Sequence, residues 1–157
     1  MSWLRYLMLL PVFCASLAQA SSDVPAGRDF SADARQVRQQ KLPLILYFHT
    51  ATCPYCRRLE DLYLVPMLKK TAKAPQFILR GIEIDQGHAL LDFSGRRTDM
   101  RAFARTERVS FVPTLRFVGP DGKPLVPDLV GLGSRDFFYA ELEESIRQAG
   151  EKLGRRQ

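Results

Sequence analysis

Cysteine is scarce in this chain, with three residues among 157, and histidine is scarcer, with two. So few cysteines exclude a structural disulfide framework, which uses several dispersed pairs. No apolar run reaches the roughly 20 residues that a membrane helix needs, so a bundle of spanning helices is excluded as well. The chain has no internal repeats and no low-complexity tract, which excludes solenoids and arrays. Its length fits one domain, and a chain of this size can bury a proper core without covalent staples.

What is present begins with a leader. Arg5 supplies a positive start, an apolar stretch interrupted by Pro11 follows over residues 7–18, and Ala18-Gln19-Ala20 forms a small-x-small cleavage site before polar Ser21. That layout is expected to be a cleaved secretory signal peptide over residues 1–20 rather than an uncleaved anchor. Phe13 is too bulky to precede a lipidated Cys14. Cleavage removes Cys14 and leaves Cys53 and Cys56, one local C-x-x-C whose short loop would constrain an unfolded chain little. Export implies an oxidising, periplasmic setting.

The net charge is +6 with seventeen arginines, among them Arg57, Arg58, Arg96, Arg97, Arg101, Arg105 and Arg108. The basic residues lack interleaved aromatic stacking platforms, so they read as a solvated surface suited to acidic partners, with no nucleic acid implied.

Apolar patterning gives the element order. Ser31 is the expected N-cap of a helix reaching residue 40. The continuous apolar run 44–48 (Leu-Ile-Leu-Tyr-Phe) suits a central strand buried on both faces. Pro54 suits a helix's first turn, Leu59, Leu62 and Tyr63 mark its inward face, and Pro66 should kink or restart it near Val65. A strand is expected over 77–84 and a loop over 86–97. A helix capped by Thr98 follows, with Met100, Phe103 and Ala104 inward. Strand 114–118, the turn Gly119-Pro120-Asp121-Gly122 and a hairpin partner over 125–130 come next. Ser134 should cap a last helix burying Phe138, Leu142, Ile146 and Ala149, with Gly150 ending it. This order predicts an α/β fold, a small mixed sheet with helices on both faces.

The candidate chemistry lies at Cys53-Pro54-Tyr55-Cys56. Thiol–disulfide exchange needs one thiolate to attack and a second thiol to resolve the mixed disulfide. Cys53, at the helix start, meets unpaired N–H groups and the positive end of the dipole, which bring such thiols to roughly pKa 3.5–7.5. Cys56 lies one turn later on the same side, close enough to bridge. Cys53 is therefore the expected nucleophile and Cys56 the resolving thiol, with no metal and no cofactor required. A lone C-x-x-C also binds zinc or copper. No second C-x-x-C completes a zinc site, and His49 reads as a packed strand residue and His88 as an exposed loop residue. The rival readings are a periplasmic Cu(I) carrier, with Met67 and Met100 far from the pair in sequence, and a redox-active regulator of one partner.

The strand run 44–48 into Cys53-Pro54-Tyr55-Cys56, followed by Val112-Pro113-Thr114 ahead of a hairpin and a final helix, resembles the thioredoxin superfamily. Asp92-Phe93-Ser94-Gly95, Phe111-Val112-Pro113-Thr114 and Gly131 are similar to the exported SoxW-type members. The resemblance implies a thioredoxin-like domain over residues 29–150, after a polar lead-in at 21–28 and before a basic tail at 151–157. It implies a cis Pro113 whose loop faces the cysteine pair, with Val112, Pro113 and Thr114 binding an extended substrate. It also implies a monomer that reduces disulfides in protein substrates and is itself re-reduced by a membrane thiol-electron donor. Two positions depart from the family pattern. Thr52 stands where ordinary thioredoxins carry Trp, and Tyr47 stands where they carry a buried Asp that helps move protons at the resolving thiol.

Overall fold

A computed structural model describes residues 23–133 and 135–154, the side chains of residues 135 and 136 apart. The leader and Ser134 lie outside the described residues.

The frame is a four-stranded sheet. Strand β1 (Leu44–His49) pairs in parallel with β2 (Ile78–Glu83) and antiparallel with β5 (Thr114–Val118), and β5 pairs antiparallel with β6 (Leu129–Val130), giving the order β2-β1-β5-β6. β1 is buried at every position because helices cover both faces. Side chains alternate across a strand. Ile45 and Tyr47 therefore join Leu79, Leu115 and Phe117 in one core, with Leu59, Tyr63 and Met67 and with Phe138, Leu142 and Ile146 of α5 (Arg135–Lys152). Leu44, Leu46 and Phe48 join the opposite core, with Phe30 and Val37 of α1 (Phe30–Gln40) and Met100 and Phe103 of α4 (Met100–Thr106). This mixed sheet between helices is the expected α/β architecture, and the fold is that of thioredoxin.

Several local expectations are corrected. Asp29, not Ser31, caps α1. Its carboxylate accepts from the Ala32 N–H at 2.9 Å and the Ser31 hydroxyl at 2.6 Å, so the nearby serine serves the cap instead of being it. Asp99, not Thr98, caps α4 by accepting from the Ala102 N–H at 2.8 Å. The segment read as a loop over 86–97 carries β3 (Ala89–Leu91), which pairs with β4 (Arg97–Asp99) in a two-stranded sheet. Its turn is organised by Asp92, whose carboxylate accepts from the Ser94 N–H and hydroxyl and from the Arg96 N–H. Those bonds, the Ser94 hydroxyl first, hold the Asp92 pKa down at about 2. The hairpin partner expected over 125–130 is shorter, pairing only at β6 and through a bridge of Val118 with Pro124. Prolines at 124 and 127 have no N–H to give a longer ladder. Helix α5 passes through Gly150 and ends at Lys152, with Gly154 at φ +76° just beyond, in the left-handed conformation that glycine adopts freely. Nor is the lead-in merely polar. Gly27 donates to the Gly81 carbonyl, Gly81 donates to that of Pro25, and Val24 is buried in the core.

The helix after β1 explains a further miss. It runs as α2 (Pro54–Leu59), a π turn (Glu60–Leu64) and α3 (Val65–Thr71). The N–H of Val65 donates to the carbonyl of Glu60, five residues back. Pro66 can donate nothing to the preceding turn, and the wider turn lets the helix restart at Val65. The same widening rotates Leu62 off the buried face, so Leu59, Tyr63, Leu64 and Met67 face inward and Leu62 is exposed.

Candidate active site

β1 and β5 run antiparallel with Phe48 opposite Thr114. The C-terminal end of β1, which leads to Cys53, therefore lies beside the start of β5, which follows Pro113. Cys53 and Val112 both pack against the core on the α5 side of the sheet. The Val112–Pro113 peptide is cis. The Thr114 hydroxyl donates to the Phe111 carbonyl at 2.8 Å, and the Gly131 N–H donates to the Pro113 carbonyl at 2.8 Å, fixing this loop from both sides. Phe111 and Tyr55 are largely exposed on it and on the C-P-Y-C turn.

The two cysteines are placed unequally. Cys53 has extended backbone and caps α2, its sulfur accepting from the Cys56 N–H at 3.1 Å. Pro54 occupies the first turn, where no intrahelical donor is lost. Cys53 is half-buried, whereas Cys56 is only 1% exposed. Their Cα atoms lie 5.2 Å apart, and the two sulfurs are bonded as a disulfide. One cysteine thus stands partly exposed at a helix start, and its partner sits behind it against the core.

Beneath Cys56 lies a pair that the sequence reading missed. Tyr47 is fully buried, and its hydroxyl is 3.0 Å from the Cys56 carbonyl and 3.0 Å from a Glu60 carboxylate oxygen. Burial, reinforced by Glu60, pushes the Tyr47 phenol far above its ordinary pKa, so it stays a neutral donor. The position that holds an acid in ordinary thioredoxins thus holds a phenol here, with a carboxylate reaching it from the helix. The signal was in the sequence: Glu60 follows Cys56 by four residues and shares its helix face.

His49 stacks on Tyr47, with ring centroids 4.7 Å apart, and is buried as expected. Gly81 makes room for it, since a Cβ there would stand 3.1 Å from Nε2. Burial lowers the His49 pKa, against the opposing pull of Glu60, Glu83 and Asp85. The unfolded chain therefore binds this proton more readily. His49 lends full stability above about pH 6.5, and that stability drains as pH falls from there through the lower folded pKa. Urea midpoints at pH 7.5 and pH 5 should differ more for the wild type than for His49→Gln; equal differences would remove His49 from this role. His88 is mostly exposed, its Nε2 3.7 Å from a Glu83 carboxylate oxygen.

Beside Cys53 an open groove of about 640 Å³ is lined by Thr52, Pro54, Arg57, Arg58, Asp61 and Leu62. The family model of the thioredoxin-like domain matches residues 30–146.

The chain belongs to the thioredoxin-like domain family.

Solved structures agree on the fold. Thioredoxin O2 of Arabidopsis thaliana, in its oxidised state, is 22% identical with a TM-score of 0.51, over 81% of this chain and 94% of that one. A poplar thioredoxin h mutant is 15% identical with a TM-score of 0.56, over 83% and 88% of the two chains. A thioredoxin-fold protein from Helicobacter pylori is 21% identical with a TM-score of 0.53, over 73% and 81%. No curated protein sequence is matched by the chain. A thioredoxin-like domain with a bonded C-x-x-C pair has the cysteine arrangement found in thiol–disulfide oxidoreductases.

Proposed function

We propose that this protein is an exported, periplasmic thiol–disulfide oxidoreductase of the SoxW type, acting as a monomeric reductase of protein disulfides. The observation that carries the reading is the inequality of the cysteine pair: Cys53 half-buried at a helix start beside an open groove, and Cys56 sealed behind it. The reaction begins from the dithiol. The Cys53 thiolate, stabilised by the Cys56 N–H and the helix start, attacks one sulfur of a partner disulfide. A Cys53–partner bond forms, and the other partner sulfur leaves as thiolate. Cys56 then loses its proton and attacks the Cys53 sulfur, freeing the second partner thiol and closing the Cys53–Cys56 disulfide. The partner gains two electrons, which a membrane thiol-electron donor restores to the pair. Val112, Pro113 and Thr114 hold the partner's extended backbone during attack. The SoxW-type likeness of residues 92–95 and 111–114, and the leader, support export and this direction of flow.

The experiment is reduction of a model protein disulfide by the mature protein supplied with dithiol, with its reduction potential measured alongside. Steady turnover is expected, with a potential inside the range of about −270 to −120 mV spanned by such pairs. Tight stoichiometric Cu(I) binding with no reduction of disulfides would replace this reading with that of a copper carrier.

A further inference from the structure

The groove beside Cys53 carries two exposed, positively charged side chains. Arg57 and Arg58 line it, both exposed, and neither makes an ion pair among the described residues. Arg80, Arg96, Arg116 and Arg147 are taken up in ion pairs, with Asp33, with Asp92, with Glu107 and Asp128, and with Glu144 and Glu151. Other exposed arginines, such as Arg97 and Arg105, are unpaired too, but only Arg57 and Arg58 line the groove beside Cys53. Asp61 lies in the same groove, four and three residues after the two arginines, yet pairs with neither. Two guanidinium groups against one carboxylate leave the groove net positive. Thr52, a small residue, stands at its cysteine end.

We infer that this groove selects protein partners carrying acidic side chains close to the disulfide to be reduced. The inference deepens the proposed reductase function and rests on it. The physical argument is one of reach and charge. Arg57 follows Cys53 by four residues, so it stands about one helical turn from the reacting sulfur. A partner held in extended form advances about 3.3 Å per residue, so carboxylates two or three residues from its cysteine fall within the span of an arginine side chain. Guanidinium recognises carboxylate through two parallel hydrogen bonds, which fixes the partner's orientation as well as attracting it. The Val112–Pro113 loop and the groove then grip the partner on two sides of one sulfur.

The test uses disulfide-bonded peptides identical except for Glu or Gln at the second and third residues from the cysteine. At low ionic strength the wild-type protein should show kcat/KM about tenfold higher for the Glu peptide, and 0.5 M salt should shrink that preference. In the Arg57→Gln/Arg58→Gln variant the ratio should fall to within about twofold, and in Arg57→Glu/Arg58→Glu a Lys-flanked peptide should become the better substrate. The ratio is the readout because any change in thiol reactivity moves both peptides together. Equal wild-type rates for Glu and Gln peptides, or an unaltered ratio in the double variant, would overturn the inference while leaving the reductase reading intact. Faster reaction with oxidised glutathione than with either peptide would overturn the protein partner in favour of a small anionic disulfide. Failure to reduce any of them would overturn the reductase reading, and this inference with it.

Discussion

Replacing Cys56 with Ser is expected to leave a protein that captures partners and cannot release them. Cys53 keeps its place at the helix start, so attack on a partner disulfide still forms a mixed disulfide. The second step is then lost. Its speed comes from a thiol already bound one turn away, with Cα atoms 5.2 Å apart. A well-placed internal nucleophile acts at an effective molarity of about 10⁵ M or more, and millimolar external dithiol cannot stand in for it. Turnover should fall at least about a hundredfold, and covalent complexes should accumulate. Cys53→Ser should abolish turnover and trap almost nothing, because the remaining cysteine, Cys56, is buried, only 1% exposed. Non-reducing electrophoresis of each variant from cells, with mass spectrometry of the trapped species, separates the two. Capture through Cys56 would reverse the assigned roles.

Why the site was readable while its foundations were not follows from where the information lies. The cysteine pair, Pro54 and the apolar run of β1 are local patterns, and each constrains its own backbone whatever surrounds it. The caps at Asp29 and Asp99 were placed one or two residues off. Ser31 and Thr98 are good cap residues too, and choosing between neighbours depends on where the helix is seated against the sheet. Leu62 was assigned inward from a spacing of three, which holds only for uniform α geometry. The π turn before Pro66 breaks that spacing and frees Leu62 to line the groove. Pairing of β3 with β4 rests on Asp92 closing a turn, and glycine-rich composition alone read as irregular. The Tyr47–Glu60 contact joins a strand to a helix, so it became visible only once both were packed. The Asp92 turn and the π turn are themselves local, so the sequence carried their signals unread, whereas the cap choices and the Tyr47–Glu60 contact were decided only by tertiary packing.

The loop that carries Val112 and Pro113 depends on a charge cluster behind it, and breaking that cluster should have the largest structural effect near the site. Arg116 points to the α4 face of β5, its guanidinium 5.8 Å from the Phe48 ring centroid. It donates to both carboxylate oxygens of Asp128, at 3.0 and 2.7 Å, and to a Glu107 carboxylate oxygen at 2.8 Å. It also donates to the Glu107 main-chain carbonyl at 3.1 Å. The Asp128 hydrogen bonds, chiefly, raise its pKa further, so it remains charged. Glu107 closes α4 just before the loop, β5 begins just after it, and Asp128 precedes β6. One side chain therefore ties together the three segments that frame residues 108–113. Arg116→Leu would leave two carboxylates, each less than a quarter exposed, without their cation. Losing one partner of a fully buried pair costs about 3–5 kcal/mol. Partial exposure here lowers that to about 2–3 kcal/mol, equivalent to a fall of about 10 °C in Tm. Arg116→Lys should recover only part of the loss, because an ammonium cannot reproduce the fork that spans both acids. Thermal unfolding of the oxidised mature protein measures this, and amide exchange over residues 108–113 should quicken in step. A melting point for Arg116→Leu within about 2 °C of wild type would show that the loop is held by its own backbone bonds and not by the cluster.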